Sequence, residues 1–165
     1  PNKIKHFYGF NYALGGIVSM TGEDFEKING FPNLWAWGYE DNLLQHRVLA
    51  TAGLYIDRSQ FFPIGNENIM QFTSGLVRNV NRVEFDRYMS NTPEGWSSIY
   101  DTQYTVDPAP GNYKQQYFIN VTQFKTGTEP VNEKTTQFDL RSARAPFKTN
   151  PIRRRGKGLY MNMYM

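Results

Sequence analysis

At 165 residues the chain is the size of one ordinary domain. With 39% apolar residues, and 16% of all residues Phe, Tyr or Trp, it can bury one aromatic-rich core. It has no Cys, which excludes disulfides, thiolate metal sites and a Cys nucleophile and fits a reducing compartment. The net charge of +3 hides an asymmetry, because residues 141–165 carry seven Lys/Arg and no Asp/Glu while residues 1–140 are net acidic.

The opening PNKIKHFYGF has no hydrophobic signal region, and no stretch approaches the roughly 18 apolar residues of a membrane span, so the sequence reads as intracellular or virion-borne, not secreted. Initiator Met is removed before small residues such as Pro1, so the chain reads as complete. Residues Tyr12–Val18 are apolar with Gly15-Gly16 inside, which predicts a buried strand whose glycines admit a close backbone approach. Thr21 is a suitable N-cap for a short helix, GEDFEK, with acids in its first turn and Asn29-Gly30 as its stop. The loop NGFPNLWAWGY follows, and its rings at Phe31, Trp35 and Trp37 are expected to be largely buried anchors.

Residues 40–52 set Leu43, Leu44, Val48 and Leu49 at helical spacing, and Gly53 ends the run. A short strand is expected at Leu54–Ile56 and a helix over residues 82–91. Two strands, SIYDTQYTVD and YKQQYFINVTQF, flank the turn DPAPG as a hairpin. From Lys125 the periodicity is lost, and the remainder reads as an extended arm without a core of its own. The two imidazoles carry no metal pattern: His46 falls mid-helix and His6 in the terminus.

The stretch ALGGIVSMTGEDFEKINGFPNLWAWGYEDNLLQHRVLATAG resembles the C-terminal signature of the β-1,4-galactosyltransferase family, in which a Gly-Gly strand, an INGFPN helix end and a WGWG-GED loop follow one another. The likeness covers residues 7 to about 56. It implies an α/β, GT-A-type nucleotide-sugar domain that transfers galactose to an acceptor hydroxyl with inversion. Matched residue by residue, it implies that Asp41 is the general base, with Glu40 beside it as an acceptor ligand. Trp37 and Gly38 fall on the loop that closes over the donor, and Gly15, Gly16 and Ala13 line the substrate site. A carboxylate within hydrogen-bond reach of a sugar hydroxyl is suited to that role. Two acids at a helix N-terminus are also favoured by the helix dipole with no catalysis at all.

The chain departs from the pattern in several places. No Asp-x-Asp occurs to hold a Mn²⁺ on the donor phosphates. Met70 matches the family's metal-binding Met, but Thr73 stands where its His is expected. The loop reads WGYEDNL, with Tyr39 in place of a Gly, and Ala13 replaces an aromatic. The resulting expectation is an α+β remnant of such a domain at residues 1–107, a β extension at 108–124 and a basic arm at 125–165.

Its leading functional reading is a non-catalytic structural or assembly protein, a minor capsid or cementing component of a large DNA virus. The alternatives are a glycosyltransferase whose donor half comes from another chain, and a sugar-binding module. No cofactor is expected, with Mn²⁺ and a UDP-sugar required only by the transferase reading. Partners would be proteins docked on the arm through Phe147, Tyr160, Tyr164 and Arg153, Arg154 and Arg155, nucleic acid being the weaker alternative.

Overall fold

The segment Lys3–Gly9 alternates in character, and as strand β1 it turns Ile4 and His6 inward and Lys3 and Lys5 to solvent. It is described in a computed structural model that covers residues 1–33, 36–70, 77–89, 93–108, 117–128, 134–139 and 147. β1 is the middle of a mixed sheet. Strand β2 (Ile17–Ser19) pairs antiparallel on one edge, and the short strands β3 (Tyr55–Asp57) and β4 (Phe62–Pro63) pair parallel along the other. The N-terminal segment, read from sequence only as a terminus, thus organises the sheet.

Helix α1 (Gly22–Lys27) starts where its cap predicts. The Asp24 amide donates to Thr21 Oγ1 at 3.1 Å, and the Thr21 hydroxyl donates to Asp24 Oδ2 at 2.8 Å. Asp24 is fully buried, and its carboxylate also accepts the Asn2 amide at 2.9 Å, which pins the start of β1 to the helix. Asn29 and Gly30 follow at φ 58° and 57°, the left-handed pair that ends the run. Helix α2 (Glu40–Ala50) buries Leu43, Leu44 and Val48, while Leu49 is 63% exposed. One small core results, with Ile4, Leu14, Ile28, Leu44 and Val48 packed together and Val18, Met20, Leu54 and Ile56 at its margin.

The buried strand expected over Tyr12–Val18 is not formed at that length. Only Ile17–Ser19 is strand, and the residues before it turn, because the Leu14 amide is spent on the Asp41 carbonyl at 3.0 Å instead of a neighbouring strand. Arg47 of α2 donates to the carbonyls of Asn29 and Gly30 at 3.0 and 2.7 Å and to that of Glu94, so one guanidinium ties α2 to the end of α1 and to the chain near residue 95.

Beyond the sheet, β5 (Val77–Asn81) leads into α3 (Arg82–Met89). The long strands β6 (Ile99–Pro108) and β7 (Tyr117–Thr126) form the antiparallel hairpin that the sequence predicts. Within the span read as an extended arm, β8 (Thr135–Asp139) pairs with β5 along its whole length. The architecture is a mixture of helices and largely antiparallel strands, an α+β fold. No helix among the described residues is long and apolar enough to cross a membrane.

Candidate functional site

The site is built on the first turn of α2. Tyr39, which caps that helix, lies at φ 68° and ψ −3°, a conformation that favours Gly. Its ring is held edge-on to Phe85 of α3 at 4.8 Å, which helps keep the loop in this strained turn. Immediately after it, Glu40 folds back and its Oε2 accepts the Gly38 amide at 2.9 Å. Asp41 is committed differently. Its carbonyl accepts the Leu14 amide, and its carboxylate lies directly against the Cα of Gly15, where any Cβ would collide with it.

The consequence is electrostatic. A helix N-terminus alone would stabilise a carboxylate, yet burial pushes the Asp41 acid up to about 6, with the Glu40 charge adding to the effect. Asp41 also borders an open cleft of about 580 Å³ whose sides include Gly15, Gly16, Ser19, Phe25 and Phe31. Gly16, at φ 80°, has the Tyr8 carbonyl where a side chain would begin, so this wall must be bare backbone. A Gly15→Ala protein should therefore displace the Asp41 carboxylate toward water and lower its pKa, a change that carboxyl NMR detects. An unchanged titration would mean that the close approach is not what sets the acid.

Several expected site residues do converge here, and others do not. Gly15, Gly16 and Asp41 line one cleft, and Gly38 reaches Glu40, whereas Ala13 is buried and is not part of the cleft wall. The expectation that Phe31 and Trp37 are largely buried is corrected: they are 41% and 38% exposed. What fastens Trp37 is its backbone, whose amide donates to the Asn79 carbonyl at 2.8 Å, so the indole is left partly to solvent. Trp37→Ala should then cost about 1 to 2 kcal/mol, well short of the ~3 to 5 kcal/mol typical of a fully buried ring. Thermal unfolding measures this. Trp35 lies outside the described residues.

His6 is the residue that sequence reasoning missed. Its ring is 1% exposed, and Nε2 lies 3.0 Å from the carbonyl oxygens of both Tyr8 and Gly15. Its Nδ1 accepts from Arg58 Nε at 3.0 Å, while Arg58 Nη2 donates to Gln45 of α2 at 2.7 Å. The only signal in the sequence was the alternation of Ile4 and His6 with lysines.

The family pattern implies Mn²⁺, but the described residues do not bring together a donor set for it. Met70 is 80% exposed, Thr73 lies outside the described residues, and no three His, Cys, Asp or Glu gather among the described residues. Of the proposed partner anchors, Phe147 lies 5.3 Å from the Phe85 ring within the same chain, with the Arg82 guanidinium over it. Arg153, Arg154, Arg155, Tyr160 and Tyr164 lie outside the described residues.

Comparison with known proteins bears on what this site is for. Residues 2–72 match a family model described as the N-terminal domain of galactosyltransferase. The chain is 44% identical over 122 residues to β-1,4-galactosyltransferase 5 of Mus musculus, covering 73% of this chain and 31% of that protein. It is 34% identical over 88 residues to β-1,4-galactosyltransferase 6 of Homo sapiens, covering 53% and 23%. With β-1,4-galactosyltransferase 3 of Bos taurus it shares 26% identity over 140 residues, 82% of this chain and 33% of that one.

The chain thus spans a third or less of the length of these curated relatives. The motifs resemble the C-terminal half of such a domain and the matching model is described as the N-terminal one; the family is common to both. These relatives overturn the expectation of a viral minor capsid or cementing protein. That reading rested on a truncated match that departs from the family's metal motif and carries a long arm, whereas these relatives are all galactosyltransferases and none is a structural protein of a virus.

Proposed function

We propose that this chain, which belongs through residues 2–72 to the β-1,4-galactosyltransferase family, supplies the acceptor cleft and general base of a site that transfers a hexose, by family analogy galactose, from a UDP-sugar to an acceptor hydroxyl. The observation that carries the reading is Asp41: a carboxylate with its acid raised to about 6, set against bare glycine backbone on an open, aromatic-sided cleft. At neutral pH such a group is mostly ionised, and it is a stronger base than an ordinary carboxylate.

In the proposed reaction the acceptor hydroxyl gives its proton to Asp41 as its oxygen forms a bond to the anomeric carbon. The bond from that carbon to the departing diphosphate breaks on the opposite face, so the configuration inverts. Glu40, anchored by the Gly38 amide, orients the acceptor beside Asp41. The half-exposed faces of Phe31 and Trp37 suit the apolar face of a sugar ring. The fold in which this works is taken as GT-A-type, with these residues forming its acceptor side. The described residues lack the donor set for a metal, so the donor's phosphates are assigned to protein outside them, in this chain or another.

A test is transfer of labelled galactose from UDP-galactose to a panel of sugar acceptors, with saturation-transfer NMR reporting acceptor binding separately. The transferase reading expects transfer that depends on Asp41. Partly exposed Trp37 supports a second reading, a sugar-binding module. Saturable acceptor binding with no transfer from UDP-galactose would favour that module and sink the transferase.

A further inference from the structure

Asp41 owes its environment to Gly15, and Gly15 is held from the other side. The backbone oxygen of Gly15 accepts from the imidazole of His6, whose single Nε2 proton is shared with the Tyr8 carbonyl, both at 3.0 Å. The tautomer is set by Arg58, because its Nε–H points at Nδ1 from 3.0 Å and requires a lone pair there. Arg58 is in turn tied to Gln45, on the helix whose first turn carries Asp41. Gly9 completes the enclosure: at φ 144° it passes so close that a Cβ would lie 2.8 Å from His6 Nε2. A closed circuit results, running from α2 through Arg58 and His6 to Gly15 and back to α2 at Asp41.

We propose that His6 is a positioning residue for Asp41, holding the Gly15 backbone against the carboxylate through a neutral imidazole whose other nitrogen is fixed by Arg58. The arrangement explains why a histidine occupies an interior position of β1, where an aliphatic side chain would leave the carbonyls of Gly15 and Tyr8 and the Arg58 donor without this partner. A phenyl ring would fill the space without closing the circuit. The groups facing the imidazole are the Arg58 charge, the Phe61 ring at 4.8 Å and the two carbonyls. Burial first, and then the Arg58 charge, push His6 below its ordinary range, in keeping with the neutral ring that the Arg58 contact at Nδ1 requires. The importance of the positioning rests on Asp41 being the reactive carboxylate, but the positioning itself can be read without turnover.

The experiment follows the Asp41 carboxyl carbon by NMR titration in the full chain labelled at Asp, with Asp41→Asn assigning the signal. In His6→Phe the Gly15 backbone is released, water reaches the carboxylate, and the midpoint should fall by about one unit toward the ordinary range. His6→Gln, whose carboxamide offers both a donor and an acceptor, should recover most of the shift. A folded His6→Phe protein with the wild-type midpoint overturns the proposal, and so does a His6→Gln protein displaced as far as His6→Phe, which would make the effect one of ring shape. If His6→Phe does not fold, Arg58→Met decides on the same titration, a lowered midpoint supporting the circuit and an unchanged one overturning it. A circuit that passes these tests in a chain showing no Asp41-dependent transfer would leave the positioning intact and remove the transferase reading.

Discussion

On the proposed transferase reading, Asp41→Asn should lower sugar transfer by about 10²- to 10⁴-fold, the usual worth of a general base, and at the same time make the protein more stable at neutral pH. The two effects have one cause. In the unfolded chain the carboxyl ionises near its ordinary value of 3.8, whereas in the folded chain it holds its proton up to about 6. The folded state therefore binds the proton more tightly, so stability is lost as the pH rises through the window from 3.8 to about 6, and above it the full cost of the buried charge remains.

A shift of about two units corresponds to at most ~3 kcal/mol, and partial solvent access to the cleft brings the expected gain from Asn to about 1 to 1.5 kcal/mol. Urea unfolding of both proteins at pH 4 and pH 7.5 separates the outcomes. The variant should gain at pH 7.5 and approach the wild type at pH 4. A variant that loses stability at both would mean that Asp41 is a structural cap, and the helix-dipole account of the acid pair would stand in place of the catalytic one.

How far such behaviour could be read from the sequence depends on whether its cause is local. The cap Thr21, the stop at Asn29-Gly30, the run of α2 and the β6–β7 hairpin all follow from neighbours in the chain, and all are found where the residues predict them. The place of Glu40 and Asp41 in the first turn of α2 was legible too. What the sequence could not convey is which backbone meets them. The turn at Leu14 and Gly15 depends on Asp41, which is 27 and 26 positions later, and the buried His6 depends on Arg58, 52 positions later.

Composition misled at Trp37 for a related reason. A large aromatic ring predicts burial on average, but here the amide is fastened to Asn79 and the ring is left at the surface. Tyr39 is a further case: the sequence marks it only as a departure from a glycine, whereas its left-handed backbone and its packing on Phe85 depend on α3.

The largest loss of stability is expected from Leu44→Ala. Leu44 is fully buried, and among the described residues it belongs to a cluster of five buried apolar side chains, with Ile4 of β1, Leu14, Ile28 and Val48. Truncating a buried Leu removes its transfer free energy and leaves a cavity, together about 2 to 5 kcal/mol. A domain of this size has only ~5 to 15 kcal/mol in hand, so the variant should sit near the edge of folding at 37 °C. The neighbouring Leu49, 63% exposed on the same helix, is the control, and Leu49→Ala should change stability by less than about 0.5 kcal/mol.

Leu44 also borders the cleft one turn after Asp41. A cavity there should loosen the first turn of α2 before the whole chain unfolds, so acceptor binding should weaken at temperatures where the far-ultraviolet circular dichroism is still native. Unfolding midpoints in urea for the two variants decide the matter. If Leu44→Ala and Leu49→Ala cost the same, the cluster around β1 is not what holds the site in place, and the β5–β8 pair and the α3 contacts at Phe85 would have to carry that role.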